Sequence, residues 1–175
     1  MRSFLILLVV LVSVPLMAQT DDLKGLPGYV DFGALDNRYG QAKVEINLGT
    51  AMLGFVAALS ESEEPEASKL LRSLEAVRVF VYEMDDAANA VEHIQDVAAD
   101  LKSDNWVPIV VARDEGELVN VFVLMTGEVI EGLTVMAAGD DDEAVFINIV
   151  GELDPSDLSK VTNKFDIDLG DIDID

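Results

Sequence analysis

Apolar and polar positions follow regular spacings along most of the chain and predict a mixture of strands and helices. From Lys43 to Leu48 the two kinds of residue alternate, which is the period of a half-buried strand. From Met52 to Leu59 apolar residues recur at spacings of one, three and four, as on the apolar face of a short helix. Pro65 suits the first turn of a second helix, which we expect to carry apolar residues at helical spacing: Leu70, Leu71, Leu74 and Val77.

The middle of the chain predicts a central strand followed by the longest helix. Arg78 to Met84 is rich in β-branched and aromatic residues on both sides, which favours a strand with both faces covered. A helix is expected from about Asp86 to Lys102, with acidic residues at its start. Its apolar stripe consists of Ala87, Ala90, Val91, Ile94, Val97, Ala98 and Leu101.

The rest of the chain predicts a meander of four strands and then a helix. The expected strands are Trp106 to Arg113, Glu117 to Met125, Val129 to Ala137 and Ala144 to Val150, separated by short polar turns. Asp154 followed by Pro155 indicates a helix start, and Leu158, Val161 and Phe165 give that helix an apolar edge.

These elements together predict one α+β domain over residues 19–165, followed by an acidic tail at residues 166–175. We expect a largely antiparallel sheet, made of the C-terminal four-strand meander plus one or two further strands, with helices packed on one face. Strand order does not follow from the pattern.

The amino terminus has the layout of a secretory signal peptide over residues 1–18. Arg2 precedes the apolar run from Phe4 to Val12, and Ala18 supplies a small residue for cleavage. The run is shorter than a membrane-spanning helix requires, so an uncleaved anchor is the alternative. We therefore expect a periplasmic or secreted protein cleaved after Ala18. It has no lipid anchor or disulfide, because the chain has no cysteine.

The charge of the chain limits its partners. Eleven Lys and Arg residues stand against 34 Asp and Glu residues, which gives a formal net charge of −23. Nucleic acids and anionic lipid surfaces bind through clustered basic residues, so both are excluded as partners, and no stable membrane insertion is expected after cleavage. Half of the residues are hydrophobic, which is not the composition of a disordered chain.

Few residues suggest catalysis or a cofactor. The single histidine, His93, falls off the apolar stripe of its helix and is expected at the surface. Without cysteine or a second histidine, thiol catalysis and ordinary zinc sites are excluded. No phosphate loop, G-x-S-x-G elbow or H-E-x-x-H pair occurs. The sequence therefore predicts no catalytic, cofactor-binding or metal-binding residues and no cofactor.

Two acidic clusters and one tryptophan have structural interpretations. Asp140 to Glu143 and the tail at 166–175 contain carboxylates that calcium favours, yet neither matches an EF-hand loop. A solvated acidic surface is the simpler interpretation. Trp106 opens a strand and is expected in the core.

Several short motifs resemble small exported bacterial proteins grouped as domain-of-unknown-function family 4252. The motifs are Leu26-Pro27-Gly28-Tyr29-Val30-Asp31, Val44-Glu45-Ile46-Asn47-Leu48, Asn105-Trp106 and Val145-Phe146-Ile147-Asn148-Ile149-Val150-Gly151. The resemblance spans most of the chain and implies export and an α+β domain. Many members resemble lipoproteins, whereas this chain lacks the lipid-bearing cysteine. The family brings no catalytic residues.

Export and the lack of catalytic motifs lead to three functional hypotheses. The first is a non-catalytic envelope protein that binds another protein or a small ligand through its sheet or an acidic surface. The second is a hydrolase using Asp or Glu with Ser, which requires two converging carboxylates in a pocket. The third is an acidic cation-binding protein acting through the tail. The partner and the oligomeric state are not derivable from the sequence.

Overall fold

The computed structural model describes residues 23–84, 88–114, 117–139 and 143–154, and these contain four helices and six strands. In chain order the elements are α1 (Leu35–Tyr39), β1 (Val44–Gly49), α2 (Thr50–Ser60), α3 (Pro65–Ser73), β2 (Leu74–Glu83), α4 (Ala88–Ser103), β3 (Val107–Asp114), β4 (Glu117–Thr126), β5 (Val129–Gly139) and β6 (Glu143–Leu153).

The six strands form one sheet in the order β1-β2-β6-β5-β4-β3, and every neighbouring pair is antiparallel. Strands β3 to β6 are the predicted meander, which is confirmed. Strand β2 lies between β1 and β6, so the prediction of a non-edge strand at this position is also confirmed. The α+β class with a single, largely antiparallel sheet therefore holds.

One face of the sheet is covered by α4 and by the segment that precedes β1. The buried residues of α4 include Ala90, Ile94 and Leu101, which match the predicted apolar stripe. They pack with Phe122 of β4 and with the single tryptophan, Trp106, which is in the core as expected. We call this side the α4 face.

Helices α2 and α3 pack on the opposite side of the sheet. Val123 belongs to the same buried cluster as Leu53 of α2, whereas the preceding residue Phe122 belongs to the α4 cluster. Consecutive strand residues point to opposite faces, so the two clusters lie on opposite sides. Helix α2 contacts β1 and β2, and α3 contacts β2 and β6. The prediction that the helices pack on one face of the sheet holds for α4 alone. Helices α2 and α3 instead cover one end of the opposite face.

The second predicted helix ends earlier than its apolar spacing suggested. Helix α3 stops at Ser73, and Leu74 has extended backbone angles, with φ −86° and ψ 143°. Leu74 and Val77 belong to β2, where they pair with Gly151 and Ile149. These two residues are therefore in a strand, paired with β6, although their spacing also fits a helix.

Three predictions fall on residues outside those that the structure describes. They are the signal peptide at 1–18, the helix after Pro155 and the acidic tail at 166–175.

Candidate functional site

A row of polar side chains lies buried on the α4 face, where it holds residues 26–32, which we call the strap. Arg78 of β2 is paired with Asn148 of β6, which is paired with Thr134 of β5. Asn148 accepts a hydrogen bond from the Val30 N–H at 3.0 Å and donates one to the Gly28 carbonyl at 2.8 Å. The row thus supplies hydrogen-bond partners for buried backbone N–H and C=O groups of the strap, which would otherwise be unpaired.

Arg78 contributes a buried cation to the same row. One of its guanidinium nitrogens donates to the Val30 carbonyl at 2.9 Å, and the group lies 4.6 Å from the ring centroid of Tyr29. The rings of Phe80 and Phe32 are 5.3 and 5.8 Å away. Burial lowers the pKa of Arg78 from its ordinary value, and the nearby Tyr29 and Asp31 oppose that shift. The guanidinium is held by aromatic faces and one carbonyl, an arrangement that fixes the strap in place.

Two glycines allow the strap to approach the sheet closely. Gly28 has a φ of +82°, and a Cβ there would lie 2.1 Å from the carbonyl oxygen of Glu131. A Cβ on Gly132 would lie 2.4 Å from the Cα of Gly28 and 2.7 Å from the Trp106 ring. Glycine is therefore required on both sides of this crossing. The Leu26–Asp31 motif is explained by this packing.

His93 is buried, so the prediction of a surface position is wrong. It is 7% exposed, and its Nδ1 lies 2.7 Å from the hydroxyl of Tyr39. Burial raises the pKa of Tyr39 to about 12, so the phenol that shares this hydrogen bond is protonated. Burial is also the main cause that lowers the pKa of His93. The helical spacing missed this position because α1 and Phe146 pack beside α4 and widen its covered face.

The described residues contain no buried carboxylate of the kind that the hydrolase hypothesis requires. The buried polar residues among them are Ser68, Arg78, His93, Asn120, Thr134 and Asn148, with no Asp or Glu. Glu83 and Glu143 lie side by side on β2 and β6, but both form surface ion pairs with Lys43, at 2.9 and 2.6 Å. Within the same part of the chain, no group of three or more His, Asp or Glu residues is placed to hold a metal ion. None of the helices described there has the length and hydrophobicity to cross a membrane.

The face opposite α4 has a different composition, because its strand residues form three apolar rows that cross all six strands. The strand pairing defines each row. The rows are Leu48-Val77-Ile149-Leu133-Val123-Val107, Ile46-Val79-Ile147-Val135-Val121-Val110 and Val44-Val81-Val145-Ala137-Val119-Ala112.

Only the first of these rows lies under α2 and α3. Five of its six members pack with Leu53 of α2 in one cluster. The other two rows lie beyond that cluster, and we call these two rows the open face. Val44 and Ile46, at its β1 end, are each 39% exposed. Sequence analysis missed this surface, because apolar residues on both sides of a strand are typical of a strand covered on both faces.

Helix α2 presents a second apolar surface to solvent. The structure confirms a helix here, but of the predicted apolar face, which consists of Met52, Leu53, Phe55, Val56 and Leu59, only Leu53 is buried. Leu53 and Ala57 are its only buried residues. The other apolar members, which we call the α2 stripe, are 48%, 58%, 37% and 66% exposed at Met52, Phe55, Val56 and Leu59.

Most of the strands and helices described above lie within the match to a known protein family. Residues 39–161 match the family model described as Domain of unknown function (DUF4252), and this range includes all six strands and helices α2 to α4. A comparison with curated proteins gives no match. Because the family model covers more than half of the chain, the protein belongs to the family described as Domain of unknown function (DUF4252).

Proposed function

We propose that this protein is an exported, non-catalytic protein of the bacterial envelope that binds an apolar segment of another protein through the open face of its sheet. The observation that carries the proposal is the pair of apolar rows beyond α2 and α3, which contain only Val, Ile and Ala. Val44 and Ile46 at the β1 edge are exposed, most of the other members are half-buried, and Val121 is buried. Contiguous exposed apolar surfaces of this kind are uncommon on monomeric proteins and mark interaction sites.

The geometry of the open face favours an extended or helical apolar segment as the occupant. Neighbouring strands are about 5 Å apart, so rows that cross six strands are roughly 25 Å long, and the two rows lie about 7 Å apart along the strands. Flat, β-branched surfaces bury a ligand poorly compared with a concave pocket. A protein segment that covers several strands at once suits the surface better than a small ligand.

The polar groups of the molecule support a non-catalytic role. Asn148 and Arg78 hold the strap, and His93 is bonded to Tyr39. Each of these side chains has at least one hydrogen-bond partner in the core, although the Nε atom of Arg78 has none. All of them lie on the side of the sheet away from the open face. The export component rests on the leader at residues 1–18.

The proposal is tested with one variant on the open face and a matched control on the other face. Ile46→Lys places a charge at an exposed position of the open face. Val111→Lys changes a valine that is 50% exposed, compared with 39% for Ile46, and that is paired with Asn120 on the α4 face. We expect the wild-type chain and Val111→Lys to retain the same protein from an envelope extract and to bind the neutral dye Nile red, and Ile46→Lys to lose both. Equal recovery by all three chains would contradict the proposal.

A further inference from the structure

Helix α1 is held on the α4 face by few contacts. Leu35 is its only buried residue, and its N-cap, Ala34, makes no side-chain hydrogen bond. A five-residue helix is not stable in isolation, so docking on the sheet keeps α1 formed. Regions that bury little apolar surface open locally at a lower free energy than the whole domain unfolds. Helix α1 therefore has the features of an element that opens locally.

Two glycines allow the chain to turn at both ends of α1. Gly33 and Gly40 have φ angles of +77° and +82°. A Cβ added at either position would meet no atom within 4 Å, so both glycines lie in open space. Because glycine adopts positive and negative φ equally well, α1 can swing away while the strap and β1 stay in place.

Two side-chain hydrogen bonds dock α1, and each includes a group that takes up a proton in acid. The hydroxyl of Tyr39 lies 2.7 Å from Nδ1 of His93. The hydroxyl of Tyr82 donates to Oδ1 of Asp36 at 2.8 Å. The Tyr39 ring also packs on the core, with its centroid 5.4 Å from that of Tyr82 and 5.9 Å from that of Phe146. These contacts join α1 to α4, β2 and β6.

The surroundings of His93 do not suit a charged ring. Burial is the largest cause that lowers the pKa of His93, and the positive charge of Arg38 on α1 acts in the same direction. Asp96 of α4 and the backbone of Phe32 oppose this shift. Strand β6 contributes the ring of Phe146, which carries no charge. The docked position of α1 therefore favours the neutral imidazole.

A proton on His93 also changes what the ring can bind. The neutral imidazole has one donor and one acceptor nitrogen, whereas the charged ring has two donors and no acceptor. The hydroxyl proton of Tyr39 then has no acceptor on the ring, and the hydroxyl forms no other hydrogen bond within the described part of the chain. When α1 moves away, water reaches the charged ring and the guanidinium of Arg38 separates from it. Opening therefore relieves both costs of protonation.

We propose that α1 is a lid that opens in acid: protonation of His93 releases it from the α4 face, while the strap, α4 and the sheet stay folded. Opening exposes the imidazole and the neighbouring ring of Tyr82. Since the closed lid favours the neutral ring, its stability is complete above about pH 6.5 and falls as the pH drops toward the pKa of the closed form. Each pH unit in this window raises the ratio of open to closed form by at most about tenfold. The lid lies on the side of the sheet away from the open face, so it is independent of the proposed binding role.

Thiol labelling of the full chain, which has no native cysteine, tests whether the opening is local. Leu35→Cys places a thiol under the lid and Leu118→Cys places one on β4, and both leucines belong to the same buried cluster. Each rate is divided by that of the same variant unfolded in urea at the same pH, which removes the titration of the thiol. In about 1 M urea, labelling of Leu118→Cys should rise about tenfold, because it requires global unfolding, whereas that of Leu35→Cys should change less than about twofold. An equal rise at both positions would overturn the proposal.

The pH dependence of Leu35→Cys labelling tests the role of His93. From about pH 7.5 to about pH 5.5 we expect the corrected rate to rise at least about threefold. Adding His93→Gln should abolish the rise. Adding Asp36→Asn should preserve it, because the amide oxygen can still accept from Tyr82 while the carboxylate is gone. No rise with His93 present, a rise that persists in His93→Gln, or one that disappears in Asp36→Asn would refute the lid.

NMR of the unsubstituted chain gives a test that needs no core substitution. His93 is the single histidine, so its ring signals are unambiguous. The amides of Arg38 and Gly40 form hydrogen bonds within the α1 segment. Between about pH 7.5 and about pH 5.5 their signals should change with the same midpoint as the ring, while those of β4 stay unchanged. A protonated ring with unchanged α1 signals, or β4 signals that change together with them, would contradict the proposal.

Discussion

The side-chain amide of Asn148 bonds to the backbone on both sides of Tyr29, accepting from Val30 N–H and donating to the Gly28 carbonyl. These partners are about 120 residues apart in the sequence. A single amide on β6 therefore fixes a segment from the start of the domain to the centre of the sheet. Because the backbone groups are buried, their pairing has a large effect on stability.

Replacing Asn148 tests this role. Asn148→Ala leaves the Val30 N–H and the Gly28 carbonyl buried without their partner, so we expect the free energy of unfolding to fall by about 2–3 kcal/mol. Asn47→Ala is the matched control, since Asn47 occupies the same row on the edge strand and bonds only to the exposed Glu45. Urea denaturation should show a change below about 0.5 kcal/mol for the control. Equal effects of the two substitutions would argue against the strap's dependence on Asn148.

Two glycines, Gly28 and Gly40, allow the effect of steric contact to be compared with the effect of backbone strain. Gly28 and Gly40 both have a φ of +82°, but a Cβ on Gly28 would clash with the Glu131 carbonyl, whereas one on Gly40 meets nothing within 4 Å. Gly40 also has a ψ of −155°, a backbone region that is essentially restricted to glycine, so Gly40→Ala should cost only that backbone strain, about 1–3 kcal/mol. Gly28→Ala should lower the unfolding midpoint much further or prevent folding. If thermal unfolding gave the same midpoint for both variants, the close crossing of strap and sheet would be refuted.

His93 predicts a dependence of stability on pH. Burial lowers its pKa in the folded state below the ordinary value of 6.5. Between those two values the unfolded chain binds more protons, so stability falls as the pH drops from about 7 toward the folded-state pKa, by at most about 1.4 kcal/mol per pH unit. His93→Gln removes this contribution. We expect the difference in unfolding free energy between wild type and His93→Gln to shrink with acidification, since the carboxylates contribute equally to both. A difference independent of pH would contradict a buried neutral histidine.

Export is tested by the mass of the native product. We expect the chain recovered from the envelope or the medium to begin at Gln19, because cleavage follows Ala18. Leu8→Arg interrupts the apolar run and is expected to leave the precursor uncleaved in the cytosol. Mass spectrometry that finds Met1 to Ala18 on the wild-type chain in a cytosolic fraction would remove the export component of the proposed function.

The sequence was most informative where burial and local spacing agree. The meander strands and α4 were predicted within a few residues, since polar turns separate the strands and α4 has a continuous stripe. Leu74 and Val77 were assigned to a helix because helical spacing continues past Ser73, and only pairing with β6 shows that they are in a strand. His93 was misplaced for a similar reason. Its cover comes from Tyr39 and Phe146, which lie far away in the sequence.

The candidate interaction surfaces were not predictable from local pattern. An apolar residue on a strand is read as buried, and the sequence does not show which of two apolar faces is covered by a helix. Val44 and Ile46 alternate with polar residues as core residues do, yet α2 reaches only as far as Leu48 on β1. The apolar face expected on α2 likewise combined Leu53, which is buried, with residues such as Phe55 that are exposed. Only the packing of α2 on the sheet shows which side is covered.

Carbene footprinting in the native envelope tests the central claim, the occupation of the open face, most directly. A diazirine reagent should label Val44, Ile46 and Ile147 in the purified chain, while labelling of Val111 on the opposite face serves as the internal reference. In intact envelopes we expect labelling of the three open-face residues to fall several-fold and that of Val111 to stay the same. Unchanged labelling of the open face in the envelope would contradict the proposal that another protein covers it.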